Sequence, residues 1–261
     1  MIVTGASSGI GKALVLEGLK RGALVVLAAR NVEAMRSAVA GVDPENYLVV
    51  PTDVGVEDDC RRLVDATIER YGRIDILINN AGISMRALFA ETRPGVLERL
   101  MQVNFWGTVY CSRYALPWLL KSGGSLVGVS SIAGYKGLPA RSGYSASKFA
   151  MHGFLESLRI EHRKKGLHVL IACPGFTASN IRKTALSADG SMQGESPRQE
   201  EKMMPAGVVA QRIGQAIRNR KRSLVLTTQG CLAVWLNKFI PALTDKLVFD
   251  HMAREADSPL G

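Results

Sequence analysis

SLVGVSSIAGYKGLPARSGYSASK, Ser125 to Lys148, passes from an apolar run through a glycine-bearing loop into a helix. The run Leu126-Val127-Gly128-Val129 breaks at Ser130-Ser131, so a buried strand leaves a hydroxyl exposed at its carboxyl end. Open α/β sheets hold their ligands in the crevice beyond such strand ends. From Tyr144 onward, YSASKFAMHGFLESLRIEHRKK combines helical spacing with strong helix formers, which puts Tyr144 and Lys148 one turn apart on one face. An isolated phenol titrates near ~10 and is a poor base at neutral pH. An ammonium group one turn away, and a cationic cofactor ring nearby, would both favour phenolate and bring the tyrosine towards the working range of a general acid/base. Ser131 can then hold a substrate oxygen while Tyr144 gives or takes its proton.

Many surface helices carry a tyrosine and a lysine at this spacing, so the pair needs companions. The chain supplies them in order: TGASSGIG (Thr4 to Gly11), NNAG (Asn79 to Gly82), Asn104, Ser131 ahead of Tyr144, and Pro174-Gly175. With these motifs the sequence resembles the classical short-chain dehydrogenase/reductase family over essentially its whole length. The resemblance implies a catalytic tetrad of Asn104, Ser131, Tyr144 and Lys148, in which Asn104 bends its helix and holds a water that relays protons to Lys148. It further implies that Asp53, in Thr52-Asp53-Val54, meets the adenine amino group of a dinucleotide and that Asn80, Ala81 and Gly82 lie along its ribose. Pro174-Gly175-Phe176-Thr177 would turn beside the nicotinamide; Ser179 stands where the family often has threonine. Related proteins commonly form dimers or tetramers through the two long helices that contain Asn104 and Tyr144, and Phe149, Met151, Phe154, Leu155 and Leu158 suit a helix covered on more than one side, although a face buried within one chain would look similar.

The cofactor loop comprises Gly5, Ser7, Ser8, Gly9, Ile10 and Gly11, lying between a strand and a helix that runs to about Gly22 with Ile10, Ala13, Leu14 and Leu19 inward. Its glycines let the backbone turn sharply and approach a pyrophosphate, whose charge the helix's amino end meets. The T-G-x-x-x-G-x-G spacing departs from the commoner G-x-G-x-x-G fingerprint. The next strand, Ala23 to Ala29, ends Ala28-Ala29-Arg30-Asn31. An acid there would bind the ribose 2′-hydroxyl of NAD, whereas an Arg accommodates a 2′-phosphate, so Arg30 with Asn31 selects NADP(H).

At 261 residues, with no linker, repeat or low-complexity tract, the chain reads as one domain over 1–261. The expected fold class is α/β, a Rossmann-type doubly wound parallel sheet of about seven strands. Cys60, Cys111, Cys173 and Cys231 lie far apart with no CxxC pair, which fits reduced thiols in a cytoplasmic protein. His152, His162, His168 and His251 show no ligand spacing, and no metal is expected. The net charge of +10 concentrates at His162 to Lys165 and Arg218 to Arg222, both closing helices, where cations complement the macrodipole; no nucleic-acid module accompanies them. No signal peptide is visible. Only Met1-Ile2-Val3 precede Thr4, whereas strands run ~5–6 residues, so either the first strand is short or residues precede it.

Residues 180–205 are polar and turn-rich, and with Phe176 they read as a substrate lid over about 176–205, mobile until a ligand orders it. Met85 and Phe176 are the candidate substrate contacts besides Ser131. An amphipathic segment follows at 231–252, carrying Trp235, Leu236, Phe239, Leu243 and Leu247 and interrupted by Pro241. It is too broken by charge to span a bilayer. Packing against the pocket or a partner subunit is its first reading, and resting on a membrane surface its second. The expected activity is hydride transfer between NADP(H) and a small, apolar carbonyl or alcohol. The competing class is a non-catalytic NADP(H)-binding sensor or structural protein on the same fold.

Overall fold

Strands in this chain are unbroken aliphatic runs because helices cover both faces of the sheet. The computed structural model describes residues 1–196, 201 and 203–260. Among them, β1 (Ile2–Thr4), β2 (Val25–Ala29), β3 (Tyr47–Pro51), β4 (Ile76–Asn79), β5 (Ser125–Val129), β6 (His168–Cys173) and β7 (Ser223–Val225) pair in parallel in the order β3-β2-β1-β4-β5-β6-β7. This is the doubly wound, seven-stranded Rossmann-type sheet that the sequence implies. The helices are α1 (Gly9–Lys20), α2 (Val32–Ala38), α3 (Glu57–Tyr71), α4 (Pro94–Leu100), α5 (Gly107–Ser122), α6 (Ser142–Glu161), α7 (Ala206–Arg218), α8 (Thr228–Phe239) and α9 (Pro241–Ala253).

Successive strand residues point to opposite faces. Ile2, Val26, Leu77, Leu126 and Val169 meet Leu63 of α3, Cys111 and Leu119 of α5 and Met151 of α6. Val3, Leu27, Ile78, Val127 and Leu170 meet Leu14 and Val15 of α1, Met35 of α2 and Ile213 of α7. Within α1 the fully buried apolar positions are therefore Leu14 and Val15, whereas Ile10, Ala13 and Leu19, expected inward, are half-buried. β1 is short, and Ile2 pairs with both Val26 and Leu77. The strand order reverses there, so the carboxyl ends of β1 and β4 open a crevice between them.

The stretch around Asn104 is one helical run interrupted by a π-helical turn, Met101–Trp106, between α4 and α5. Such turns often accompany functional sites. Residues 197–200 and 202 of the expected lid lie outside the described residues. The described part is fastened near its middle: Leu186 N donates to Ser84 O at 2.9 Å, and Arg86 N donates to Leu186 O at 2.9 Å.

The C-terminal segment is two helices, α8 and α9, divided at Ile240-Pro241, where proline suits the first position of the second helix. Trp235, Phe239, Leu243 and Leu247 are exposed. No helix among the described residues is long and apolar enough to cross a membrane. The pair is tied down on both sides of this junction. Asn237 Nδ2 donates to Tyr135 O at 3.2 Å, and Lys136 donates to Asp245. Beyond α9, Glu255 accepts from Arg141 Nη2 at 3.2 Å and stands 3.7 Å from Arg86 Nε, with its side chain only 3% exposed.

Removing one partner of a buried ion pair costs about 3–5 kcal/mol, because the remaining charge loses its compensation. Glu255→Gln is accordingly expected to speed amide hydrogen exchange across α8, α9 and the tail while the central strands keep their protection. Equal exchange in both proteins would mean that the Glu255 ion pairs do not hold these helices.

Candidate active site

The crevice begins at the turn after β1. Gly5 adopts a left-handed φ of +66°, and a Cβ there would stand 2.8 Å from Ala81 Cα. Gly11 is tighter still, since its Cβ would fall 2.0 Å from Gly5 O and 2.6 Å from Asn80 Nδ2. The amino end of α1 is thus pressed onto the β1 turn. Thr4 Oγ1 accepts from the backbone N–H groups of Asn80 and Ala81, both at 3.0 Å, and Asn80 Nδ2 donates to Thr4 O at 2.9 Å. These bonds join the two glycine-bearing motifs of the sequence into one wall. The first turn of α1 contains no acidic side chain, and Ser8, Gly9, Ile10 and Gly11 at its amino end line the crevice, where the unpaired amides of a helix start favour negative charge.

Gly5, Ser7, Ser8, Gly9, Ile10 and Gly11 line one limb of a cavity of about 810 Å³, together with Arg30, Asn31, Asp53, Val54, Asn80, Ala81 and Gly82. Pro174, Gly175, Phe176 and Thr177 line it from the other side. At the carboxyl end of β2 the guanidinium of Arg30 is exposed, with Nη1 4.0 Å from Asp53 Oδ2. Asn31 uses its side-chain oxygen to cap α2, accepting from Ala34 N at 2.9 Å. The residues present fit a dinucleotide: a close-approach turn, a helix amino end for the pyrophosphate, and a cation where an NAD-type site would carry an acid.

The chemistry-bearing side chains meet in the second limb. Ser131 follows β5, and its Oγ accepts from Ala133 N at 3.2 Å. Tyr144 and Lys148 project from α6, both buried. Lys148 Nζ donates to Val129 O at 3.0 Å and lies 5.7 Å from the centre of the Tyr144 ring. Burial depresses the lysine's pKa to about 8. The tyrosine departs from the expectation that its lysine neighbour lowers it: burial raises the phenol above its ordinary value, and a hydrogen bond with Ser131 and the charge of Arg141 only partly offset this.

Asn104 sits in the π-helical turn with its amide spent on protein groups. Its Oδ1 accepts from Ile83 N at 2.8 Å, and its Nδ2 donates to Ile83 O and to Ser147 Oγ, each at 2.9 Å. It splices the helix to the loop after β4 and to α6. Gly82 separates it from the lysine: a Cβ there would be 3.1 Å from Asn104 Oδ1 and 3.5 Å from Lys148 Nζ. Only a residue without a side chain leaves this gap between them.

Of the substrate candidates, Ser131 and Phe176 line the cavity, and the Phe176 ring lies 5.9 Å from that of His251. Met85 does not line it. It is fully buried, paired with Leu186 and packed against Leu100 beneath the cavity floor. The walls of this limb are supplied by Leu138, Ile181, Leu186, Leu236, Leu247 and Val248. Sequence reasoning missed Arg141 and its partner Glu255, which are separated by 114 positions and follow no local pattern. It also gave Thr4 no role, although its place beside Gly5 marked it. The four cysteines are free, Cys173 being a buried thiol beside the site, and the described residues contain no group of three or more side chains able to hold a metal.

A family model described as short chain dehydrogenase matches residues 1–190. The chain is 42% identical over 196 aligned residues to 11-beta-hydroxysteroid dehydrogenase A of Arachis hypogaea, covering 73% of this chain and 56% of that protein. It is 32% identical over 268 aligned residues to dehydrogenase/reductase SDR family member 7B of Bos taurus, covering 99% and 82%. The chain spans about half the length of the plant hydroxysteroid dehydrogenases that it matches. Among solved structures, a short-chain dehydrogenase from Streptomyces avermitilis superposes with a TM-score of 0.82 at 27% identity, covering 98% of this chain and 97% of that one. A short chain dehydrogenase/reductase from Burkholderia phymatum, in complex with NAD, shares the fold with a TM-score of 0.81 at 24% identity, covering 93% of each chain. A match across most of the chain, on the sheet that carries Ser131, Tyr144 and Lys148 to one crevice, makes this protein a member of the short-chain dehydrogenase family.

Proposed function

We propose that this chain is an NADPH-dependent reductase that interconverts a carbonyl and a hydroxyl on a small, largely apolar molecule. One observation carries the reading: Ser131, Tyr144 and Lys148 converge on one limb of a cavity whose other limb holds the glycine turn and Arg30. When bound, the nicotinamide supplies the hydride, and the protein supplies orientation and protons. The glycine turn and the amino end of α1 hold the pyrophosphate, and Arg30 pairs with the 2′-phosphate. Ser131 donates a hydrogen bond to the carbonyl oxygen. Tyr144 is neutral at working pH because burial raises its phenol, and the neutral form is the one able to donate a proton to that oxygen. Lys148, held near a pKa of about 8, can exchange a proton close to neutrality and resupply the phenol, with Gly82 leaving space beside its Nζ.

The apolar walls from Leu236, Leu247 and Val248 support a hydrophobic substrate. Exposed Trp106, Phe149 and Ile160 on the run through α5 and on α6 support association into a homodimer or homotetramer. The free thiols favour a cytoplasmic setting. A complete tetrad is more than a dinucleotide-binding sensor needs.

Calorimetric titration with NADPH and with NADH tests the cofactor half of the reading. NADPH should bind much more tightly, and Arg30→Ala should weaken NADPH by roughly 10- to 100-fold, the worth of a charge-assisted hydrogen bond, while leaving NADH unchanged. Equal affinities in the parent chain would remove Arg30 as the phosphate reader. Binding of neither cofactor would overturn the reductase reading as a whole.

A further inference from the structure

The reductase reading employs Tyr144 and Lys148 of α6 and leaves unexplained a third polar side chain on the same face. His152 follows Lys148 by one turn, as Lys148 follows Tyr144. The residue is 7% exposed. Nε2 lies 2.7 Å from Ser130 Oγ and 3.7 Å from Cys173 Sγ, and the Tyr135 ring meets the imidazole edge-on with centroids 4.6 Å apart. The packing leaves no slack, since a Cβ on Gly134 would stand 2.5 Å from Nε2 and 2.9 Å from Ser130 Oγ.

The carboxyl end of β5 is therefore stitched to α6 at two successive rungs. Val129 O accepts from Lys148 Nζ at 3.0 Å, and the Ser130 hydroxyl bonds His152 Nε2. The next residue is Ser131. Ser130 N is also fixed, donating to Ala172 O at 2.7 Å, so the backbone entering the substrate-oxygen cradle is set from both neighbouring elements.

We infer that His152 is a positioning residue for the reductase reaction: by holding the Ser130 hydroxyl it fixes Ser131 against Tyr144. The inference rests on the reductase reading. The groups facing the ring are Lys148 and Arg159 from α6, Ser130 and Tyr135 from the loop after β5 and Cys173 from β6. Burial and the charges of Lys148 and Arg159 hold the imidazole down to about 4, so it is neutral near pH 7. Burial pushes Tyr135 and Cys173 up to about 12, which keeps both uncharged. A neutral ring shares one hydrogen bond between Nε2 and the Ser130 hydroxyl, in whichever direction its tautomer sets, and places no second cation beside Lys148.

The test compares His152→Leu, His152→Gln, Ser130→Ala and the double variant His152→Leu/Ser130→Ala. In NADPH-dependent carbonyl reduction, His152→Leu should lower kcat at least about 10-fold with NADPH affinity unchanged. His152→Gln, which restores a neutral hydrogen-bonding group, should recover most of that loss. Ser130→Ala should match His152→Leu, and the double variant should be no worse than either single one, because both remove the same bond. A readout independent of turnover is the Tyr144 phenol, followed by NMR with the ring carbon labelled. Its pKa should rise by about half a unit or more in His152→Leu, as the Ser131 hydrogen bond that lowers it is disturbed, and return in His152→Gln. A lower melting temperature with kcat per folded molecule and the Tyr144 titration both unmoved would show a merely structural histidine and overturn the inference. Additive losses in the double variant would overturn it as well. If the parent chain reduces no carbonyl, the reductase reading falls, and the Tyr144 titration alone decides whether His152 sets the Ser131–Tyr144 contact.

Discussion

Tyr144→Phe is expected to lower kcat for NADPH-dependent carbonyl reduction by about 10³-fold, within the ~10²–10⁴ that a positioned general acid contributes. The substitution removes one oxygen and keeps the ring, which packs with Met85, Leu100, Ala133 and Leu186. Folding should therefore be preserved. Ser131 keeps its bond from Ala133 N, and Lys148 keeps its bond to Val129 O, so the cradle persists without its proton donor. Because the proton moves only as the transition state forms, kcat and kcat/KM should fall together while the dissociation constant for NADPH stays constant. Stopped-flow measurement of NADPH oxidation, paired with calorimetric binding, separates these quantities. Retention of activity within tenfold would mean that another group delivers the proton, and the acid/base assignment would have to leave Tyr144.

The elements legible in the sequence are those that depend on short spacing. Tyr144 and Lys148 lie four positions apart, and a helix puts them on one face whatever surrounds it. The glycine turn and the strands it follows were equally readable, because Gly5, Gly9 and Gly11 have few other uses between an aliphatic run and a helix. The position of Arg30 at the end of β2 is equally legible.

What escaped depends on long-range packing. Met85 follows the Asn79–Gly82 motif closely enough to look like a wall residue, yet pairing with Leu186, about a hundred positions away, turns that stretch and buries it. The burial that raises the Tyr144 phenol is hidden for the same reason. Proximity to Lys148 is visible in sequence, but the desolvation that outweighs it is a property of the assembled cavity. The Glu255 contact to Arg141 closes a loop of more than a hundred residues, and only the fold brings them together. The division of the C-terminal segment was signalled by Pro241, although the contacts of α8 and α9 to Tyr135 and Lys136 were not.

Gly11→Ala should be the most damaging substitution of a single methyl group in the cofactor limb. The added carbon would lie 2.0 Å from Gly5 O, a backbone atom, where no flexible side chain can move aside. Relief requires α1 to retreat from the β1 turn. That motion is opposed from both sides. Leu14 and Val15 anchor the helix against Val3 and Leu27, and Asn80 Nδ2, itself 2.6 Å from the new carbon, is bonded to Thr4 O. Overpacking of this kind costs typically ~1–3 kcal/mol and occasionally more, and a rigid backbone acceptor places this case at about 3 kcal/mol. For a chain of this size that corresponds to a fall in melting temperature of roughly 6–12 °C. The cofactor should be lost out of proportion to stability, because the retreat widens the distance between the amino end of α1 and the Gly5 turn, the two surfaces that hold the pyrophosphate. Thermal unfolding with and without NADPH reads both effects: the variant should melt lower, and added NADPH should raise its midpoint far less than it raises that of the parent. A variant that melts within a degree of the parent and is stabilised equally by NADPH would mean that α1 and the β1 turn are not in the close contact on which the dinucleotide site depends.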